Sequence, residues 1–275
     1  MSDAIGIGSV VPIDVVGHLL RDFARRLVMP RFRALRAGDV IEKAPGEVVT
    51  IVDREVEQAL GLSLQALLPG SRVIGEEGVA ENPGLLDDIA RGWVWLVDPL
   101  DGTANFVAGL PSFAMMVALL HDGLAIASWI YAPVNERLAA AEIGRGAFIN
   151  GRASRLLMSA PGEDLRGIVK TRFLPQDCVT ALARVESGLQ FEPGSGSAGM
   201  DYLAMLDGQW QFLLYWRTLA WDHVPGALLI CEAGGRAARL DGGAYSATCS
   251  GVGLLVAAHG TVWQTVRDIL PPVSA

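Results

Sequence analysis

The sequence predicts a mixed α and β fold in two parts, and three observations carry that expectation. An amphipathic helical spacing opens the chain, two apolar segments flank His121-Asp122-Gly123 near its middle, and strand-like and helix-like segments alternate through its second half. Apolar residues at Ile13, Val16, Leu20, Phe23, Ala24 and Leu27 predict a helix over 13–36. Val56, Leu60, Leu64 and Leu67 predict a second over 54–67, with 50–53 leading into it. A strand over 93–97 follows, then an acidic turn and a short helix. Segments 113–120 and 124–131 form a hairpin about His-Asp-Gly, which 137–143 and 147–149 extend, so the first sheet is not purely parallel. Beyond it, 167–170, 210–215 and 254–257 read as strands, and 176–186, 198–206 and 222–233 as helices. No internal repeat or low-complexity tract appears. The division is expected between 151 and 162, giving an N-terminal α+β part of residues 1–153 with an antiparallel sheet and a C-terminal α/β part of residues 154–275.

Residues 93–106, WVWLVDPLDGTANF, carry the most chemistry. The apolar run is rich in β-branched and aromatic residues and ends at Asp98, where a buried strand would emerge. Pro99 interrupts the ladder and Asp101-Gly102 is turn chemistry. Thr103, Ala104, Asn105 and Phe106 can open a helix whose free amides favour an anion. Two ionised carboxylates at about 4 Å repel by roughly 4 kcal/mol at an effective dielectric near 20, so one is protonated or cations lie between them. Hard oxygen ligands of this kind favour Mg²⁺. The bland alternative is that Asp98 and Asp101 merely cap and turn.

Further acids stand at similar places. Glu76 and Glu77 follow Val73, Ile74 and a glycine, at the end of another short strand. Asp222 heads a segment in which Val224, Ala227, Leu228 and Cys231 recur at helical spacing before Gly234-Gly235. Helix capping is the alternative role for Asp222.

GEEG at 75–78, WLVDPLDGTANF at 95–106 and WDHVPGALLICEAGG at 221–235 together resemble the three signatures of the inositol monophosphatase family of Mg²⁺-dependent, lithium-sensitive phosphatases. EVVTIVD at 47–53, GRGAFING at 144–151 and GSA at 196–198 extend the likeness in family order. The resemblance implies a layered α-β-α-β-α sandwich of the inositol monophosphatase and fructose-1,6-bisphosphatase type, with the site between two subdomains. It implies that Glu76, Asp98, Asp101 and Asp222, with the carbonyl of Leu100, hold two Mg²⁺ ions. Lys43 and Glu47 match a loop associated with a weaker third cation, although Glu47 stands where an aspartate is usual and the spacing is one residue shorter. Thr103, Asp53 and Glu76 form the implied catalytic set, Thr103 orienting the attacking water and Asp53 bonding that threonine. Gly102, Thr103, Gly196, Ser197 and Ala198 would cradle the phosphate and nearby hydroxyls.

Charge then dictates the chemistry: four carboxylates and a phosphate monoester cannot meet without divalent cations. Two metals can clamp such a reaction, one activating water and the other stabilising the departing oxygen. Direct attack by water, with no phosphoenzyme, is expected. A haloacid-dehalogenase-type phosphatase also uses a DGT motif, but its acids are two apart and early in the chain. A regulatory protein on the same fold is the non-enzymatic alternative.

Substrate identity is less well determined. In inositol-hydrolysing members a glutamate seven residues before the final metal aspartate contacts ring hydroxyls; here Tyr215 takes that place. With Arg217, Tyr215 tilts the pocket toward a substrate with a second acidic group or a ring. An inositol-1-phosphate-like metabolite, histidinol phosphate, fructose 1,6-bisphosphate and 3'-phosphoadenosine 5'-phosphate are the candidates.

The 275 residues are 51% hydrophobic with a formal charge of −8, enough for a large core and contrary to sequence-independent binding of nucleic-acid backbone. Cys178, Cys231 and Cys249 lack CxxC spacing, and Cys231 reads as a small core residue on an apolar helical face. The start lacks a basic export region and the longest apolar stretch is broken at 121–123, so a cytoplasmic protein with no membrane span is expected. Family analogy implies a homodimer. His223 is expected to be structural or outward, since adjacent helix positions do not share a face. The tryptophans at 93, 95, 210, 216 and 221 read as packing residues.

Overall fold

The structure, a computed structural model, describes residues 11–44, 47–156, 164–185, 188–249 and 253–272. The described residues open with helix α1 (Ile13–Phe23), which passes into a π-helical turn at Ala24–Val28. The helix expected to reach Arg36 thus ends earlier, because Pro30 has no amide to continue the ladder and Arg33 takes a left-handed φ of 61°. Strands β1 (Val40–Ala44) and β2 (Glu47–Thr50) pair antiparallel and lead into α2 (Ile51–Leu67). Helix α2 starts three residues earlier than its apolar spacing indicates. Thr50 caps it by accepting from the Val52 amide, while the Asp53 carboxylate accepts from the Thr50 amide at 2.8 Å.

A seven-stranded sheet follows, formed by β3 (Arg72–Gly75), β4 (Trp93–Asp101), β5 (Ala114–His121), β6 (Leu124–Ala132), β7 (Arg137–Glu142), β8 (Gly146–Ile149) and β9 (Arg152–Ser154) in that spatial order. Only β3 and β4 pair in parallel; the rest is an antiparallel meander, as expected. Two short helices interrupt it: α3 (Glu76–Glu81) after β3 and α4 (Thr103–Val107) after β4. The β5–β6 turn is made by Asp122 at φ 49° and Gly123 at φ 80°, the left-handed pair a two-residue hairpin needs.

The second sheet draws on β10 (Leu165–Val169), β11 (Leu189–Glu192), β12 (Phe212–Tyr215), β13 (Arg236–Arg239) and β14 (Leu254–Ala257), ordered β11-β10-β12-β14-β13. Its helices are α5 (Gln176–Ala183), α6 (Ala198–Leu206), α7 (Ala220–Glu232) and α8 (Gly260–Ile269). Part of the expected division, 157–163, lies outside the described residues.

Alternation along the strands assembles the layers. Trp95, Val97, Met115 and Val117 bury against Val16, Leu20, Val56 and Leu60 of α1 and α2. Ala114, Met116 and Ile130 on the other face meet Tyr202, Leu203, Leu229 and Ile230 of α6 and α7, which also cover Leu213, Tyr215, Leu254 and Val256. Phe212, Leu214, Leu255 and Ala257 turn outward onto Leu182, Val262, Trp263 and Val266 of α5 and α8. The result is a five-layer α-β-α-β-α sandwich with α6 and α7 in the middle. No helix among the described residues is long and apolar enough to cross a membrane.

Cys231 departs from expectation. It is exposed, because α7 turns Leu229 and Ile230 inward and leaves the next position on the outer side.

Candidate active site

Four chain segments deliver acids to one region. β4 carries Asp98 and Asp101 on its last turn, and it does not stop at Pro99 but continues through an irregularity between the two acids. Asp98 is buried at 2% exposure and its carboxyl is held well above the usual range, first by burial and then by the negative charges of Glu76, Asp101, Asp222 and Asp53. Asp98 therefore senses the charge of all four of these acids. Among the described residues, no three of them close around a single point as a finished coordination shell.

Each acid is positioned by local structure. Asp98 Oδ1 accepts from the Leu100 amide at 3.0 Å, and Glu76 begins α3. The Glu57 carboxylate on α2 caps α3, accepting from the Glu77 and Gly78 amides at 2.8 Å each. Nothing in the sequence marks Glu57, since its partners lie twenty residues away. Replacing it with Ala should remove the cap at a cost of about 1 kcal/mol and weaken divalent-ion binding by roughly 10–100-fold, as loss of an outer-shell partner does. Calorimetric titration of Mg²⁺ into both proteins checks this.

Asp222 lies inside the first turn of α7, two residues past its start; it is not the N-cap, which is Leu219 and provides no side-chain bond. Asp101 ties the end of β4 to the start of α6. Its Oδ2 accepts from Ser197 Oγ at 2.5 Å and the Gly199 amide at 2.6 Å, and its Oδ1 accepts from the Ala198 amide at 3.2 Å. The start of α6 thus spends donors of Ser197 and Ala198 on Asp101. Gly196, at φ 86°, lies on the cleft wall beside them. Gly102 has φ 89°, and a Cβ there would lie 2.9 Å from the Ser112 carbonyl, so only glycine fits between β4 and α4.

Thr103 Oγ1 stands 3.0 Å from Asp53 Oδ1 and 3.0 Å from the Leu100 carbonyl, and one hydroxyl proton serves both. Asp53 Oδ2 also accepts from Thr50 Oγ1 at 2.5 Å. Burial pushes the Asp53 carboxyl up to about 6, against the lowering effect of these bonds. Because the folded value exceeds the unfolded 3.8, the metal-free protein should lose stability as pH rises from about 4 to about 6. Melting curves of Asp53→Asn against the parent should show the difference shifting in favour of Asn across that window and flattening above it.

A cleft of about 570 Å³ opens over these groups, lined by Glu76, Asp101, Gly102, Thr103, Gly196, Ala198, Tyr215, Arg217 and Asp222. Tyr215 is buried, with its ring 4.4 Å from that of His223, and among the described residues its hydroxyl finds no hydrogen-bond partner. His223 also lines the cleft and is buried, not outward: its Nδ1 faces the Tyr202 hydroxyl at 3.2 Å, and burial lowers it to about 3, so it stays neutral. Lys170 reaches the buried Asp201 at 3.3 Å. Lys43 and Glu47 have side chains outside the described set.

The donor set of hard carboxylate oxygens around a buried Asp98 suits divalent cations of the Mg²⁺ class, whose charge would relieve the repulsion that otherwise favours protonation of Asp98.

Comparison with known proteins places the chain in a family. The model of the inositol monophosphatase family matches residues 19–270. A fructose-1,6-bisphosphatase/inositol-1-monophosphatase of Thermotoga maritima is 30% identical over 222 residues, covering 80% of this chain and 78% of the relative. The Nus factor SuhB of Pseudomonas aeruginosa is 33% identical, covering 74% and 78%. Among solved structures, an IMPase of Thermotoga maritima superimposes with a TM-score of 0.77 at 26% identity, over 93% of this chain and 95% of the other. The suhB protein of Bartonella henselae gives 0.76 at 26%, over 93% and 96%.

Proposed function

Because the chain belongs to the inositol monophosphatase family, we propose that it is a Mg²⁺-dependent phosphomonoesterase that hydrolyses a small phosphorylated metabolite by direct attack of water. The observation that carries this reading is the gathering of Glu76, Asp101, Asp222 and Asp53 about the buried Asp98, beside the Asp53–Thr103 hydrogen bond. Glu76, Asp98, Asp101 and Asp222, with the Leu100 carbonyl, are the groups that would hold two ions. When bound, these ions supply Lewis acidity to the phosphoryl oxygens and to water.

The chain's own residues do the rest. Thr103, with its proton shared toward Asp53 and Leu100, keeps lone pairs with which to orient a water, and Asp53 must be ionised to accept that proton. Gly102, Thr103 and Gly196 present backbone at the cleft to the phosphate, while Ser197 and Ala198 act through Asp101, to which they are bonded. Tyr215 replaces a charged ring-hydroxyl contact with a buried phenol, so preference for inositol 1-phosphate over histidinol phosphate, fructose 1,6-bisphosphate or 3'-phosphoadenosine 5'-phosphate is open to test. The reading takes the protein as a cytoplasmic homodimer, which sedimentation checks.

Phosphate release measured across these four substrates, with Mg²⁺ and with excess chelator, is expected to show metal-dependent turnover on at least one. A second reading, a regulatory role without catalysis, is favoured by the relatives named Nus factor SuhB. A folded protein that binds Mg²⁺ yet releases no phosphate from any of the four would support it instead.

A further inference from the structure

The glycine-rich loop that precedes α6 is held from two sides. From α4, Asn105 Nδ2 donates to the Ser195 carbonyl at 2.9 Å. From α6 itself, Asp201 Oδ1 accepts from the Ser195 amide at 2.8 Å, while Ser195 Oγ donates to the Ser197 carbonyl at 2.9 Å. Asp201 is 1% exposed, and its Oδ2 has no hydrogen bond among the described residues. That oxygen faces Lys170 Nζ at 3.3 Å.

Lys170 comes from the second sheet. It follows β10, whose Val169 stands opposite Leu214 of β12, and its amide donates to the Leu214 carbonyl at 3.0 Å. A carboxylate so deeply buried needs compensating charge and donors, so the lysine holds the first turn of α6 to the end of β10. Gly194 closes over the pair: at φ 85°, a Cβ there would lie 2.7 Å from Asp201 Oδ2 and 2.8 Å from Lys170 Nζ. Lys170 lines the cleft, yet its charge is directed at Asp201.

The same turn of α6 grips Asp101, which accepts from Ser197 Oγ and from the Ala198 and Gly199 amides. Asp101 itself belongs to β4 and the first sheet. A shift of the α6 start is therefore passed to an acid on the opposite side of the cleft from β10.

We infer that Lys170 and Asp201 are a positioning pair: their attraction sets the 194–197 loop and the start of α6 against β10, and so fixes the Asp101 carboxylate for divalent-cation binding. The inference rests on the phosphatase reading, which makes Asp101 a metal ligand. Both residues act through Asp101 and not on the substrate.

The test compares the full chain with Lys170→Met, Lys170→Arg, Asp201→Asn and the double variant Lys170→Met with Asp201→Asn. Calorimetric titration of Mg²⁺, melting temperature, kcat and KM are read for each. Lys170→Met and Asp201→Asn should each weaken Mg²⁺ binding by roughly 10–100-fold, the scale for loss of an outer-shell partner, and Lys170→Arg should recover most of it. The double variant buries no unpaired charge. It should melt close to the parent while keeping the weakened Mg²⁺ binding of the single variants, because the two changes remove one shared interaction. A pair that only stabilised the fold would instead regain the parent's affinity along with its stability. Parent affinity in the double variant therefore overturns the proposal, even where Lys170→Met fails to fold. A lysine variant that loses kcat/KM at unchanged Mg²⁺ affinity also overturns it, since Lys170 would then act on the substrate directly. Weakened Mg²⁺ binding in the variants of a parent that releases no phosphate keeps the pair and removes the phosphatase reading. A parent that turns over, with every variant at its affinity, does the reverse, and a parent that binds no Mg²⁺ overturns both.

Discussion

Asp98→Asn is expected to lower kcat by about three orders of magnitude or more, while raising the melting temperature of the chelator-treated protein. The first effect follows if Asp98 holds a metal as proposed, since metal ions contribute several kcal/mol of charge stabilisation and each 1.36 kcal/mol is tenfold in rate. The second follows from the sign of the Asp98 shift. Burial and four neighbouring acids hold its carboxyl well above 3.8, so at neutral pH the empty fold carries a penalty for each ionised acid that the unfolded chain does not. Asn keeps the oxygen that accepts from the Leu100 amide and discards the charge. A gain of about 1 kcal/mol, or roughly 2–4 °C for a chain of this size, is the expected scale. Added Mg²⁺ should stabilise the parent and leave the variant nearly unmoved. Calorimetry with and without chelator, beside phosphate release, measures both. Undiminished turnover, or a metal-free variant that melts lower, would remove Asp98 from the centre of the site.

Gly226→Ala should be the most damaging small substitution. A Cβ at Gly226 would fall 2.2 Å from two carbons of the Tyr202 ring, and Tyr202 is fully buried between α6, α7 and both sheets. Neither ring nor backbone has room to yield, so overpacking of about 3 kcal/mol is expected, at the upper end for such changes. Pushing α7 from α6 also displaces Asp222 relative to Asp101, because α6 grips Asp101 through Ser197, Ala198 and Gly199. Activity of the folded fraction should therefore fall as well. Chemical denaturation and kcat at saturating Mg²⁺ test the two parts separately, and a variant within 1 kcal/mol of the parent would falsify the packing argument.

Much of this arrangement is legible in the residues, for reasons that differ from element to element. The Asp122-Gly123 turn states the β5–β6 hairpin outright, because few residues other than Asp, Asn and Gly adopt its backbone. The bounds of α6 coincide with those read from its glycine-rich approach and Ser197. The run ending at Asp98 announces a strand that delivers an acid. Other elements are mute: β11 and β13, LQFE and RAAR, are short and half polar and pair only because neighbouring strands offer edges. Helix α8 does display a helical spacing in Val262, Val266 and Leu270 that would have exposed it. The irregularity that carries β4 past Pro99 depends on β5, and the Glu57 cap depends on folding α2 against α3. Such long-range hydrogen bonds leave no local trace. The pairing of Lys170 with Asp201 is of the same kind, since it exists only once β10 and α6 are folded together.

The position of α7 bears on when the molecule first acquires competence during its own synthesis. Glu76, Asp98 and Asp101 leave the ribosome with the seven-stranded meander, a run of mostly local pairings able to form early. Asp222 is some 120 residues later on a helix that packs against strands of both sheets, so the fourth acid arrives long after the other three. A polypeptide that ends before α7 thus holds an unfinished set of charges, and on the proposed reading tight capture of cations would await the folding of that helix.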